Sequence, residues 1–366
     1  MPAGRLESLA CFTEQAVHCD ELGSPFTAGL CRLLAGRIDR GSGFGRRIID
    51  WPGDAVEDRL ALRACGALHA LARSGDEPGL AAVYPPAAFS GEAVWPAIAG
   101  ALTRHDAFLT SRLDGPPQTN EVARSAIILG GCLAIAEETR LPLELLEIGA
   151  SAGLNLVFDR YGYELGNGRR WGPPDPPLVI DCAWRGTAPP LSAPLAVASR
   201  RACDRNPLDP ASPTDAAHLA AYIWPDQSGR LARLDAALGI AADARITIEK
   251  ADAADWAERE LARPPTPGFA RVLLHTIVWS YLEARTMARI EAALEAAGQR
   301  ATAASPIAHL GVQPDGGSPG ALVHLTVWPG GKRRNIGRAD FHGRWVEWDY
   351  RTATRPTAAP ATPPMR

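Results

Sequence analysis

Glu147, Gly149, Ser151 and Gly153 stand two apart along the stretch Leu143 to Leu156, with Ala150 and Ala152 between them. The stretch reads as a buried apolar strand, a tight turn of small residues and the first turn of a helix. Small residues at such a turn let a ligand approach the backbone closely. Two acids follow at later turns: Asp204, and Asp252 within Lys250-Ala251-Asp252-Ala253. An acid after the second strand of such a fold can bond ribose hydroxyls, by the logic of dinucleotide sites. An acid after the third strand can accept from an adenine amino group. Taken in order, these residues describe a cradle for an adenosine-bearing cofactor. Glu147, Gly149, Ala150, Ser151 and Gly153 would hold one end, Asp204 the ribose, and Asp252 with Ala253 the base. Asp204 comes about fifty residues after Gly153, where an uninterrupted unit gives roughly twenty. An insertion at 161–193 accounts for the difference.

Gly149-Ala150-Ser151-Ala152-Gly153 is also a literal Gly-x-Ser-x-Gly, the turn that exposes the nucleophile of α/β-hydrolases. On this alternative Ser151 attacks an ester, and Asp252 or Asp255 with His275 or His342 completes the order Ser, Asp, His. That fold needs strands and an oxyanion-supplying loop upstream, whereas residues 1–140 read as helical without a His-Gly-Gly segment. Glu147 would then be a buried carboxylate without a role, which is costly. The NAD fingerprint fits less well, because Ser151 and Leu154 stand where its second and third glycines belong.

His275 closes the apolar run Arg271 to His275, at the sheet edge where active sites of open α/β folds form. A histidine there can act as general base on an acceptor. Trp279 and Tyr281 follow it, either as pocket walls or as core aromatics. Asn120 and Glu121 precede a helix that leads straight into the strand at Leu143, so they are further pocket candidates. Thr119 or Asn120 is the expected N-cap of that helix. His218, His309, His324 and His342 read as structural, and no set of His, Cys and acids has metal-ligand spacing.

The elements that must position these groups follow from periodicity. Residues 1–140 show helical spacing with breaks at Gly and Pro, which predicts an all-α N-terminal domain. From 141 to 351 strands alternate with helices, which predicts a doubly wound, mostly parallel sheet of Rossmann-like α/β type. The insertion holds a hairpin at Tyr163 to Trp171 and a strand at Leu178 to Trp184, read as a substrate-side flap. Strands at Leu322 to Trp328 and Phe341 to Tyr350, joined by a basic loop, would form an antiparallel edge. Residues 352–366, rich in Pro, Ala and Thr, predict a disordered tail.

Composition narrows the function classes. The chain has 366 residues, a net charge of −3 and a pI near 6.3, which offers no electrostatic argument for nucleic acid or an acidic membrane. Seven cysteines without a C-x-x-C pair fit a reducing cytosol better than disulfides or a zinc site. The longest apolar run, Ala126 to Ala136, is too short to span a bilayer. There is no signal-like N-terminal segment. The expectation is a soluble cytoplasmic protein with a small-molecule substrate; oligomeric state is not readable.

The glycine turn with its preceding acid resembles that of Rossmann-like methyltransferases, where it cradles S-adenosylmethionine (SAM). Several blocks together resemble an uncharacterised bacterial family known only as a domain of unknown function. They include Gln118 to Glu121 with Arg124, Leu146 to Leu156 with Asp159 and Tyr161, and Asp204 to Asp209. Trp224 to Gln227, His275 to Trp279, and Trp328 to Gly331 with His342-Gly343 continue the likeness from about residue 8 to 350. The resemblance implies a helical part followed by a half similar to SAM-dependent methyltransferases. The expected function is methyl transfer from SAM to a small acceptor, with His275 on the acceptor side. The alternatives are a Ser151 esterase and a non-catalytic Rossmann-like binding protein.

Overall fold

The first third of the chain is helical because its apolar residues recur every three or four positions. In the computed structural model, which describes residues 3–350, the helices are α1 (Ala3–Glu21), α2 (Pro25–Arg37), α3 (Gly43–Ile49), α4 (Leu60–Ser74), α5 (Pro78–Ala81), α6 (Gly91–Arg104) and α7 (Asp106–Ser111). Pro25 starts α2, where its missing N–H costs nothing, and the Ser42 hydroxyl accepts the Gly45 N–H to start α3. The expected tail at 352–366 lies outside the described residues.

Next comes α8 (Ser125–Thr139), buried from Ser125 to Ala136. A helix apolar all round must be covered on every side. Its entry differs from the expected cap at Thr119 or Asn120. A 3₁₀ turn at Val122–Arg124 precedes it, and the Glu121 side chain accepts the Ala123 N–H.

The strands and remaining helices are β1 (Leu143–Ile148), β2 (Gly162–Glu164), β3 (Arg170–Trp171), β4 (Val179–Asp181), β5 (Ala183–Gly186), β6 (Val197–Asp204), α9 (Pro213–Ala221), α10 (Ser228–Ala244), β7 (Ile248–Lys250), α11 (Ala253–Ala262) and β8 (Ala270–Thr276). They end with α12 (Ala284–Gly298), β9 (Ile307–Gln313), β10 (Ala321–Trp328), β11 (Arg334–Ala339) and β12 (Trp345–Trp348). Among the described residues a nine-stranded sheet runs β5-β12-β11-β10-β9-β8-β1-β6-β7. From β7 through β9 every neighbour is parallel. From β9 to β12 the neighbours are antiparallel, and β5 lies parallel to β12. The fold is therefore mixed α/β with a large, mostly parallel sheet and a helical N-terminal region. The apolar runs of β1 and β8 suit a sheet covered on both faces. Leu146, Ile148, Leu273 and Ile307 pack with Trp256 and Leu261 of α11 and Ile290 and Leu294 of α12. On the other face α8 lies over β9, where a Cβ at Gly131 would stand 3.0 Å from Leu310 Cγ.

Three features depart from the expectations. Among the described residues the chain divides into two compact units, one of residues 3–120 with Leu208–Asp243, the other of Glu121–Pro207 with residues 244–350. The boundary thus precedes α8 instead of following it, and α9 with most of α10 belongs to the helical unit. The insertion is also not a free flap. β2, β3 and β4 form a small sheet of their own, while β5 is the outermost strand of the large one. The basic loop after β10 proves to be β11, so a run of antiparallel strands precedes that edge.

Candidate functional site

The chain leaves β1 through backbone that only small residues take easily. Gly149, Ser151 and Gly153 have φ of 68°, 56° and 71°. The Gly149 and Ala150 N–H groups both donate to the Cys203 carbonyl, at 2.9 and 3.1 Å. The Ser151 N–H donates to Asp204 Oδ2 at 2.8 Å, and Asp204 Oδ1 accepts the Asn206 N–H at 2.8 Å. The turn after β1 and the acid after β6 are thus one bonded unit, which holds Ser151 in its unusual conformation. The expected helix after Gly153 is a 3₁₀ segment, Leu154–Arg160, broken at Val157.

Glu147 is 1% exposed, and its Oε2 has no partner among the described residues. Burial, aided by the like charge of Asp204 and opposed by Arg124, pushes its carboxyl up to about 8. Asp252 caps α11, accepting the Ala254 N–H at 2.9 Å and the Asp255 N–H at 3.3 Å, and pairs with Arg205 at 3.5 Å. Its partial burial opposes ionisation, yet the N–H groups of Asp255 and Ala254 and the Arg205 charge hold its carboxyl below the usual range. Ala253 is the first residue of α11. The Ala251 N–H donates to the Asp204 carbonyl at 3.0 Å, so the ends of β6 and β7 are joined as well. Glu147, the turn, Asp204 and Asp252 therefore follow one another across three adjacent strands.

The other candidates fall differently. Asn120 ends the helical unit and Glu121 begins the other, buried as a cap. Trp279 is buried in a 3₁₀ turn after β8, whereas Tyr281 in the same turn is 63% exposed and no core aromatic. Of the hydrolase acids, Asp252 is the cap just described and Asp255 pairs with Arg289 at 2.6 Å. A cavity of about 470 Å³ opens beside β6, lined by Arg200, Arg245, Thr247, Trp256 and Glu260 among others. None of the turn, Asp204 or Asp252 lines it.

His275 does not face an opening at the strand ends. Its ring is 1% exposed and stacks on Trp279, centroids 4.3 Å apart. Sequence spacing offered no metal-ligand set, yet the sheet brings His275, His309 and His324 together, one ring nitrogen of each within 4.8 Å of the others. Register explains this. His275 of β8 and His324 of β10 both align with Gly311 of β9, and His309 lies two residues away on the same face. Burial holds all three below the ordinary histidine value, to about 3 for His309 and His324, with Arg333 adding to it. They are neutral imidazoles. The positions sit far apart in sequence, and only strand order and register could have revealed them.

A mixed α/β protein with its polar candidates gathered at the carboxyl ends of parallel strands is the class that fold and site define. The chain belongs to the DUF2332 family, described as an uncharacterized protein conserved in bacteria, whose family model matches residues 10–348. No curated protein and no solved structure matches it. No helix among the described residues is long and apolar enough to cross a membrane.

Proposed function

We propose that the sheet-bearing unit is Rossmann-like, binds SAM and serves methyl transfer to a small-molecule acceptor. The observation that carries this reading is the buried, unpartnered Glu147 oxygen beneath a glycine turn bonded to Asp204. A buried polar atom without a partner is expensive, and a ligand amine or hydroxyl would satisfy it. The strand order supports the reading: within the parallel part of the sheet, β6 and β7 lie on one side of β1 and the later β8 and β9 on the other. Ligands of open α/β sheets bind outside the carboxyl ends at such a switch point. Glu147, Gly149, Ala150, Ser151 and Gly153 would hold the methionine end, Asp204 the ribose, and Asp252 with Ala253 the adenine. When bound, SAM supplies an electrophilic methyl group. The chain's own residues bind, orient and desolvate it, and in-line transfer needs chiefly proximity and alignment.

A second reading, the Ser151 esterase, has the positive φ of Ser151 in its favour, since an elbow serine is strained. Against it, β1 is the first strand among the described residues, and a broken 3₁₀ segment stands where the elbow helix belongs. One set of measurements separates the readings. Calorimetry with S-adenosylhomocysteine should give saturable binding, weakened at least about tenfold, or 1.4 kcal/mol, in Asp204→Asn. A fluorophosphonate should leave Ser151 unlabelled. Absence of binding ends the SAM proposal. Binding without turnover over a broad acceptor panel would leave a cofactor-binding module.

A further inference from the structure

We infer that His275, His309 and His324 form a site for one divalent transition-metal ion of the zinc class, with the fourth coordination position left to an exogenous ligand. The site lies on β8, β9 and β10 and uses none of the cofactor-cradle residues Glu147, Asp204 or Asp252; it takes His275, expected from the sequence on the acceptor side, as a ligand instead.

The hydrogen bonds are the first ground. Both ring nitrogens of His275 and the Nε2 of His309 are buried without a partner among the described residues. A neutral imidazole carries one donor and one acceptor, and leaving either unmade in a core is costly. His275 would be an odd choice for mere packing, since an aromatic hydrocarbon would fill its place at no such cost. An ion that takes a lone pair from each ring satisfies the acceptors at once.

Geometry is the second. His324 Nδ1 lies 3.0 Å from the Gly311 carbonyl, an arrangement that puts the proton on Nδ1 and leaves the Nε2 lone pair free. Metal-bound histidines are oriented by just such a second bond to a carbonyl. Gly311 itself has no room for a side chain: a Cβ there would overlap the His324 ring and stand 2.7 Å from His275 Nε2. The two imidazoles therefore converge over the one residue between them that lacks a side chain. Ring centroids lie 5.3, 5.9 and 4.9 Å apart. Tetrahedral zinc with Zn–N near 2.0–2.1 Å needs its nitrogens about 3.3 Å apart. Small side-chain rotations close the difference from 4.8 Å.

The chemistry of the donor set is the third. Three neutral nitrogens without a thiolate suit zinc, cobalt or nickel better than calcium or magnesium.

The test uses the full chain, stripped with chelator and titrated with zinc in a calorimeter, then with Co²⁺ followed by its visible bands. About one zinc per chain is expected, with zinc-edge X-ray absorption showing imidazole nitrogens at about 2.0–2.1 Å. His275→Gln, His309→Gln and His324→Gln should each weaken binding at least about tenfold, in variants whose circular dichroism matches the parent. If these variants do not fold, the zinc-edge spectrum of the parent decides alone. Zinc uptake well below one equivalent, a sulfur-dominated shell, or unchanged affinity in folded variants would overturn the site.

Discussion

Glu147 carries the clearest pH signature of any single residue. Its folded carboxyl titrates near 8 against an ordinary value of 4.5, because burial penalises the anion. Folding therefore takes up a proton at this group between those values. The resulting stability is fully present below about pH 4.5 and is lost as pH rises through about 8, with a slope of at most about 1.4 kcal/mol per pH unit. Glu147→Gln keeps the shape and cannot ionise. Comparing ligand-free melting curves, the variant should match the parent near pH 4 and exceed it at pH 8.5. Parallel curves across that range would show that Glu147 ionises freely. At this scale the turn was legible in the sequence, because small residues around Glu147 have few other uses. The histidine set was not, since nothing in the spacing of His275, His309 and His324 says that β8, β9 and β10 are neighbours or that Gly311 lies between two of them.

Elements carry the next prediction, through α11. Asp252 caps that helix with two N–H bonds and also occupies the position proposed for the adenine contact. Asp252→Ala removes both roles, and the lost cap should cost about 1 kcal/mol in chemical denaturation. Asp252→Ser separates them. A serine caps almost as well as aspartate but is shorter, so stability should recover while affinity for S-adenosylhomocysteine stays reduced. Recovery of both would confine Asp252 to capping. Elements with continuous apolar stretches, such as β1, β8, β10 and α8, could be read from the sequence with their ends displaced by a few residues. β11 could not. Its arginines divide between partners, Arg334 with Glu138 at 2.7 Å and Arg338 with Asp315 at 2.9 Å, while Ile336 and Ala339 are its buried apolar residues. A strand so charged reads as a basic loop. The place of β5 in the large sheet was hidden for another reason: it is fixed through a pairing of Trp184 with Trp348, ring centroids 5.0 Å apart, that joins distant parts of the chain.

At the scale of the whole molecule, the least legible fact is that residues 208–243 leave the strand-and-helix alternation to join the helical unit. The sequence marks this segment as helical, and nothing local says which core it serves. The ties are long-range. Trp224 belongs to the same apolar cluster as Phe12, Leu30, Leu68 and Ile98. His69 Nδ1 lies 3.1 Å from the Ala221 carbonyl, and Gly66 leaves room for the Tyr222 ring. Asp226 is the polar anchor: it accepts the Phe26 N–H at 2.8 Å and the hydroxyl of buried Ser24, closing the start of α2. Asp226→Ala strands the Phe26 N–H, at a cost of about 1–3 kcal/mol for an unpaired donor, while the Ser24 hydroxyl can turn to Thr27 Oγ1 at 2.8 Å. Hydrogen exchange on the full chain should then show α2 losing protection together with α9 and α10, because these segments are held by the same contacts. Asp226→Asn retains an acceptor for one donor and should recover part of the loss. If α2 loosened while α9 and α10 kept full protection, the segment would owe its place to apolar packing around Trp224, and Trp224→Ala would then loosen all three.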